Sequence, residues 1–242
     1  MIWKMNFQGK RAITISTLFL FLLSISNAKA QVTIKNFDSK VFDADQYFEF
    51  TTNKKIPKAI QSQALRALSF YSELKTSHII FRFRKRITPL SSKPQVLSTF
   101  KKRKNRKYVI TISTKSNKKL DPILFFNLPY NAQIGVLGHE LAHISEYDTM
   151  NTAQLITLIF KLLNSKYTDQ FEFNTDLIGI NHGLGYQLYD WSQYVRSALD
   201  IPEWRGADDF YPSNDEEVTK QRYMNPQTIE KFMESNSIYH KK

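Results

Sequence analysis

The stretch His139–His143, with the sequence HELAH, decides the fold of this chain. Two histidines four positions apart project from the same face of a helix, so both imidazoles can reach one metal ion. The flanking residues, NAQIGVLG at 131–138 and Ile144, continue the helical pattern. Glu140 lies between the histidines, where its carboxylate can address a water on that ion. The pattern predicts a helix that carries two zinc ligands, His139 and His143, and one general base.

The motif stands out against the composition of the chain. Only five histidines occur in 242 residues, and His78, His182 and His240 lie outside the motif. A coincidental match of this pattern is therefore rare. The alternative at this stage is a helix whose histidines only cap it or pair with acids.

A catalytic zinc site needs a third protein ligand besides one open position. Downstream, Glu172 and Asp176 are separated by four positions and would share one helical face. We predict Glu172 as the third ligand. We predict that Asp176 accepts a hydrogen bond from the non-ligating nitrogen of a motif histidine. The alternative is a pair of surface carboxylates, which ordinary helices carry freely.

Three other side chains fit the third position less well. Glu146 would lie too far along the motif helix, and Asp148 would require that helix to end early. His182 would face elsewhere on an ideal helix.

The two motifs, HELAH at 139–143 and EFNTD at 172–176, resemble those of the gluzincins. These zinc metallopeptidases carry HExxH on one helix and Glu-x-x-x-Asp on a later one. The resemblance covers residues 134–183, and it implies a zincin-like domain with a small mixed sheet in its N-terminal half. It also implies that an edge strand borders the cleft, and the predicted strand Tyr108–Thr114 is in the right order for that role. A peptide could add to such an edge as an extra strand.

The remaining pattern predicts an α+β fold, with a small mixed sheet in the N-terminal half packed on a mostly helical C-terminal half. Predicted strands occupy 78–84, 96–100 and 108–114, and predicted helices occupy 56–74, 151–166, 169–182, 186–199 and 226–235. Pro89 and Pro94 predict a loop between the first two strands, and 201–225 reads as a long loop. The strongly apolar helix at 151–166 is too short to span a bilayer. It fits a core position, with a surface facing a membrane or a partner as the alternative.

Composition limits the classes of function. With 42% hydrophobic and 14% aromatic residues, 31–242 can form one domain with a sizeable core. The absence of cysteine excludes disulfides, thiolate zinc sites and cysteine nucleophiles, so a zinc ion must be bound by nitrogen and oxygen. A formal net charge of +12 favours a polyanionic partner.

Residues 1–30 have the pattern of a secretory signal peptide. Three cations precede a mostly apolar run at 12–26, and Ala-Lys-Ala at 28–30 is a small-x-small cleavage site. We expect cleavage near Ala30 and a periplasmic or extracellular protein. The alternative is a protein tethered to the membrane by an uncleaved signal-anchor.

The sequence as a whole favours an exported zinc-dependent metallopeptidase that acts on a peptide or protein substrate. Glu140 would take a proton from a zinc-activated water and pass it to the leaving amine. The oxyanion needs a further hydrogen-bond donor. The candidates, which the sequence does not rank, are His182, Tyr186, Tyr147 and Tyr189.

A strongly basic stretch, Lys101–Lys107, has six cations in seven residues. It is typical of a solvated loop or of electrostatic contact with an anionic envelope surface. No aromatic residues interleave with the charges, and we expect no nucleic-acid partner. The alternative function is a non-enzymatic, zinc-stabilised binding module at the cell envelope. Such a module would have no use for a general base at Glu140.

Overall fold

The structure is a computed structural model that describes residues 33–201, 204 and 222–240. All of them belong to one of the two units into which the chain divides, Gln31–Lys242. The predicted signal peptide, 1–30, and most of the predicted loop at 201–225 lie outside the described residues.

Helices and 3-10 turns together account for most of the described chain, and the longest α-helix carries the HELAH motif. Seven of these elements are α-helices. They are α1 (Gln61–Leu68), α2 (Val96–Thr99), α3 (Tyr130–Thr149), α4 (Thr152–Lys161), α5 (Ser165–Asn181), α6 (Gly185–Leu199) and α7 (Pro226–Glu234). Short 3-10 turns flank several of these, including Lys58–Ile60 before α1 and Ser72–Leu74 after it. The mixed composition of helices and strands confirms the predicted α+β class.

Helix α3 is central to the core because it is apolar on nearly every side. Ile134, Leu137, Leu141 and Ile144 are completely buried, and they follow helical spacing. Pro129 precedes the first turn of the helix in an extended conformation. The helix therefore positions its polar motif residues inside the protein, where they need partners.

Four strands form one mixed sheet in the order β1-β2-β4-β3. They are β1 (Lys54–Lys55), β2 (His78–Arg84), β3 (Leu90–Pro94) and β4 (Lys107–Ser113). β1, β2 and β4 run parallel, whereas β3 is antiparallel to β4, with Leu90 opposite Ile112. From Tyr108 to Ser113 every residue of β4 is buried, as expected of an interior strand.

This order corrects three of the sequence predictions for the N-terminal half. The predicted edge strand, Tyr108–Thr114, is interior, and the edge that borders α3 is β3. The loop predicted between Pro89 and Pro94 is therefore wrong, because Leu90–Pro94 pairs with β4. The predicted strand 96–100 is also wrong, since Val96–Thr99 is a turn of helix.

The helix boundaries differ from the prediction at two places. The helix predicted at 56–74 is α-helical only from Gln61 to Leu68. The helix predicted at 151–166 ends at Lys161, and α5 already begins at Ser165. Gly183 follows the end of α5 with a φ of 92°, a left-handed conformation that favours glycine after a helix.

Helices α3 and α6 approach each other closely at Gly135. A Cβ added there would lie 2.1 Å from the backbone oxygen of Gln187. Only glycine allows this spacing, and it brings α6 against the helix that carries the motif. Within residues 33–201, 204 and 222–240, no helix combines the length and the apolar character that crossing a bilayer requires.

Candidate metal centre

Three potential ligand atoms converge between α3 and α5. The Nε2 atoms of His139 and His143 each lie 3.1 Å from Oε2 of Glu172. The ligand atoms of these three residues all lie within 4.8 Å of one another, and the side chains are buried or nearly so. The structure therefore brings together the three residues that the sequence predicts as ligands, and the group could hold a metal ion.

The distances from Glu172 to the two imidazoles are close to those between donor atoms around a small divalent cation. A tetrahedral site with bonds of about 2.0–2.1 Å to nitrogen and oxygen separates its donor atoms by about 3.3–3.4 Å. The two separations of 3.1 Å are slightly shorter than that edge. The donor set of two imidazoles and one carboxylate leaves a fourth position for a water or substrate.

Both imidazoles are held through the nitrogen that faces away from this group. Nδ1 of His139 lies 2.8 Å from Oδ1 of Asp176, which is the contact predicted from the sequence. Nδ1 of His143 lies 3.1 Å from Oγ1 of Thr175, whose hydroxyl donates to the Phe171 carbonyl. Asp176 and Thr175 can both accept, so each Nδ1 carries a proton and each Nε2 is the nitrogen that would give its lone pair to a bound metal ion.

Thr175 was not among the residues singled out from the sequence. It is completely buried on α5, one turn after Glu172. Its place inside the Glu-x-x-x-Asp motif is the signal that could have identified it, since position i+3 shares the face of the ligand.

The electrostatics of the group favour positive charge at its centre. Burial opposes protonation of His139, but the hydrogen bonds to Asp176 and Glu172 outweigh it and raise its pKa to about 10. Burial would also raise the pKa of Glu172, but the charge of His143 and the hydrogen bonds from both imidazoles hold it well below its usual range. A field that attracts a proton attracts a metal cation at the same point.

Glu140 is placed beside the three ligands but is not one of them. Its side chain is buried, and its Oε2 atom has no hydrogen-bond partner in the structure. Burial raises the pKa of Glu140, against the opposing charges of His143 and His139. A buried carboxylate with an unsatisfied oxygen and a raised pKa is suited to exchange a proton with a water in the cleft.

A small cleft of about 50 Å³ opens on this side of the group. One wall is the start of the edge strand, from Thr88 to Leu90, and the floor is α3 with His139 and Glu140. The remaining walls are aromatic and include Trp191 and Tyr223. There is room here for a few waters or for one group of a substrate.

Tyr223 is a further site residue that the sequence gave no means of finding. Its ring lies 5.5 Å from that of His139. Burial and the nearby charge of Glu172 raise its pKa well above the ordinary value, so its hydroxyl keeps its proton and can donate. No periodicity marks this position, which lies inside the predicted loop at 201–225.

The backbone on both sides of Tyr223 is anchored to the site. The amide of Met224 donates to Oδ2 of Asp176 at 2.8 Å, and the carbonyl of Met224 accepts from Oγ of Ser192 at 2.7 Å. Nε of Arg222 lies 2.7 Å from Oδ1 of Asp169. Asp176 therefore joins the Tyr223 segment directly to the His139 imidazole.

His182 is one of the four oxyanion donors proposed from the sequence, but its hydrogen bonds are made to Glu73 and Ile178 and not to the metal centre. Its Nε2 lies 3.0 Å from Oε1 of Glu73, and its Nδ1 lies 2.8 Å from the Ile178 carbonyl. Burial would lower the pKa of His182, but these two hydrogen bonds raise it. Its ring stacks on Tyr71 with the centroids 4.5 Å apart.

The three candidate tyrosines do not line the cleft among its described walls. Tyr147 stacks on His143 with ring centroids 5.9 Å apart, so it packs behind the ligand. Tyr186 contacts Tyr239 edge-to-face, and Tyr189 packs against the hydrophobic core. Of the tyrosines considered, Tyr223 is the one whose ring borders both the cleft and a ligand.

No protein-family model, no curated protein and no solved structure matches this chain. What the site can do is therefore inferred from its own residues.

Proposed function

We propose that the protein is a zinc-dependent metallopeptidase with a zincin-like domain of the gluzincin type. The observation that carries this proposal is the position of Glu140. Its buried carboxylate has an unpaired oxygen and lies beside the group formed by His139, His143 and Glu172, at the floor of a cleft. A site that only stabilised the fold would have no need of a carboxylate in this cleft, because leaving one of its oxygens buried without a partner costs stability.

The nature of the donors supports zinc as the metal. Imidazole nitrogen and carboxylate oxygen in a group of three, with a fourth position left open, is the ligand set of catalytic zinc sites. Zinc bound by His139, His143 and Glu172 would polarise the scissile carbonyl and lower the pKa of a water.

The chain's own residues supply the proton transfers and the oxyanion contact. Glu140 accepts a proton from the attacking water and delivers it to the amine that leaves. Tyr223 donates a hydrogen bond to the oxygen that becomes negative as the tetrahedral intermediate forms. Asp176 and Thr175 keep the two imidazoles in the tautomer that presents Nε2 to the centre.

The edge strand supports a peptide as the substrate. β3 pairs with β4 on one side only, so its other side presents backbone amides and carbonyls. An extended peptide can hydrogen-bond to such an edge as an additional strand. Leu90 and the residues before it line the cleft, so a peptide on β3 would pass directly over Glu140.

The proposal includes export. The pattern of residues 1–30 is that of a secretory signal peptide, with the mature chain beginning after Ala30. N-terminal sequencing of protein recovered from outside the cytoplasm should begin at Gln31. A full-length N-terminus on membrane-bound protein would instead identify a signal-anchor.

The test is a Glu140→Gln variant assayed on a peptide library with added zinc. We expect it to bind one zinc per chain but to lose at least about 10²-fold in cleavage rate, because the amide cannot accept a proton. Glu146→Gln is the matched control, since Glu146 is a second carboxylate of α3 with a buried oxygen that lacks a hydrogen-bond partner, but it is not among the described residues that line the cleft. Unchanged cleavage by Glu140→Gln would overturn the assignment. Stoichiometric zinc without any cleavage by the wild type would favour the zinc-stabilised binding module.

A further inference from the structure

We propose that the protein docks on an anionic lipid surface through two exposed apolar groups and the lysines between them. This docking surface consists of Val96, Leu97 and Phe100 around α2, Ile159, Phe160 and Leu163 around α4, and Lys101, Lys102, Lys104 and Lys107. It is distinct from the metal centre, and the proposal does not depend on peptidase activity.

The apolar side chains of this surface are unusually exposed for their size. Leu97 is 83% exposed and Leu163 is 81% exposed, and Phe100 and Phe160 are exposed by 70% and 67%. On α4 the spacing separates this face from the buried one, because Leu155 and Leu158 point into the core. A group of large apolar side chains left in water indicates an interaction site rather than a structural need.

The end of α2 and the start of α4, the two elements that carry the apolar groups, are hydrogen-bonded together. The hydroxyl of Thr152, at the start of α4, donates to the carbonyl of Thr99, at the end of α2, at 3.1 Å. Arg106 donates to the Met150 carbonyl and reaches Oγ1 of Thr152 at 3.3 Å. The basic stretch, which follows α2, is thereby tied through Arg106 to the start of α4.

The structure divides the six cations of the basic stretch into two kinds. Arg106 is buried and serves the fold, and Arg103 lies 3.7 Å from Asp148. The other four cations are exposed lysines, and none of them forms an ion pair with an acid of the described chain. Four solvated positive charges next to apolar side chains match a bilayer that carries negative headgroups.

The positive charge of the docking surface favours a lipid membrane over the other partners that an exposed apolar face could bind. A second copy of the chain would bring the same lysines together, and the net charge of +12 opposes that contact. A soluble acidic polymer would use the lysines but would leave the leucines and phenylalanines in water. A lipid surface accepts projecting side chains without a shaped pocket, and it satisfies both kinds of residue.

Vesicles test the proposal, with the chain from Gln31 onward, which forms one compact unit, so that the cationic and apolar segment 1–30 does not itself bind lipid. We expect hydrogen exchange to slow at 96–107 and 152–163 when vesicles containing phosphatidylglycerol are added. The double variant Leu97→Asp/Phe160→Asp should reduce vesicle binding at least ten-fold. Both side chains are mostly exposed, so the variant should fold, as circular dichroism will show. Phe48→Asp, at another exposed aromatic, is the matched control and should bind as the wild type does.

The lysines are tested separately by neutralising three of them. Each cation near an anionic surface contributes roughly five-fold to binding, so the triple variant Lys101→Gln/Lys102→Gln/Lys104→Gln should lose about 100-fold. The loss should disappear on phosphatidylcholine vesicles and shrink with salt. The matched control neutralises three exposed lysines elsewhere: Lys55, Lys58 and Lys85.

Three outcomes would overturn the proposal. The first is exchange at 96–107 and 152–163 that does not change with anionic vesicles. The second is equal binding by the Leu97→Asp/Phe160→Asp variant and the wild type. The third is protection of the same segments by concentration-dependent self-association without lipid, or by a soluble polyanion to the same extent as by vesicles.

Discussion

The sharpest prediction concerns Asp176, whose two carboxylate oxygens each accept from a different donor. Oδ1 accepts from Nδ1 of His139, and Oδ2 accepts from the amide of Met224. An Asp176→Asn side chain has almost the same shape, but it offers one acceptor oxygen and a donating NH₂ group. Whichever way the amide turns, one of the two donors then faces another donor inside the protein.

The expected losses of stability and of zinc affinity both follow from that single mismatch. A buried donor left without an acceptor costs about 1–3 kcal/mol. Loss of the hydrogen bond that orients a metal-ligating histidine lowers metal affinity by roughly 10–100-fold. We therefore expect Asp176→Asn to unfold more readily and to bind zinc more weakly by those amounts.

The assay is competition for zinc against a chromophoric chelator, with urea unfolding in parallel. Asp190→Asn is the matched control, because Asp190 accepts a hydrogen bond from the amide of Asn131, and an asparagine oxygen can still do so. Wild-type zinc affinity in the Asp176→Asn variant would refute the reasoning. An equal loss in Asp190→Asn would show that the effect is one of charge alone.

Three further predictions follow from contacts described above. Gly135→Ala should lower the free energy of unfolding in urea by about 1–3 kcal/mol, because the added Cβ would meet the Gln187 carbonyl. An unchanged midpoint of urea unfolding would show that α3 and α6 can separate freely. Thr175→Val should weaken zinc binding about ten-fold, whereas Thr175→Ser should not. His182→Gln should lower the free energy of unfolding by about 0.2–1 kcal/mol between pH 4.5 and 6.5, where His182 and Glu73 both carry charge. The loss should become smaller as the pH rises through the raised pKa of His182. An equal cost at pH 6 and pH 10 would contradict that linkage.

The ligand group could be predicted from the sequence because helical spacing fixes it. His139 and His143 share a face by arithmetic, and so do Glu172 and Asp176. Helical spacing does not predict that α3 packs against α5, and it is this packing that brings the histidine pair and the carboxylate pair together. The resemblance to gluzincins supplied that step as an expectation, and the structure places the two pairs in contact.

The edge strand was missed for a local reason. Leu90–Pro94 reads LSSKP, with two serines, a lysine and a terminal proline, and it has neither alternation nor β-branched residues. Proline is tolerated at the end of an edge strand because no partner there needs its amide. The pairing with β4 is a tertiary effect, so the prolines alone predicted a loop.

The short elements were ambiguous for a different reason. Val96–Thr99 is a single turn of helix, and apolar runs of that length fit a strand equally well. Tyr223 could not be found at all, because its position depends on a hydrogen bond between residues 48 positions apart. Contacts of that range leave no mark on local periodicity.

The shared carboxylate of Asp176 has a consequence for how the protein responds to loss of a metal ion. The amide of Met224 and the imidazole of His139 are hydrogen-bonded to the same side chain, so each of them helps to position that carboxylate for the other. Loading of the ion and docking of this segment are then reciprocal: each makes the other more favourable by the same factor. If a metal ion is bound at this centre, a chelator that removed it would also loosen the attachment of Arg222–Met224 to the rest of the site.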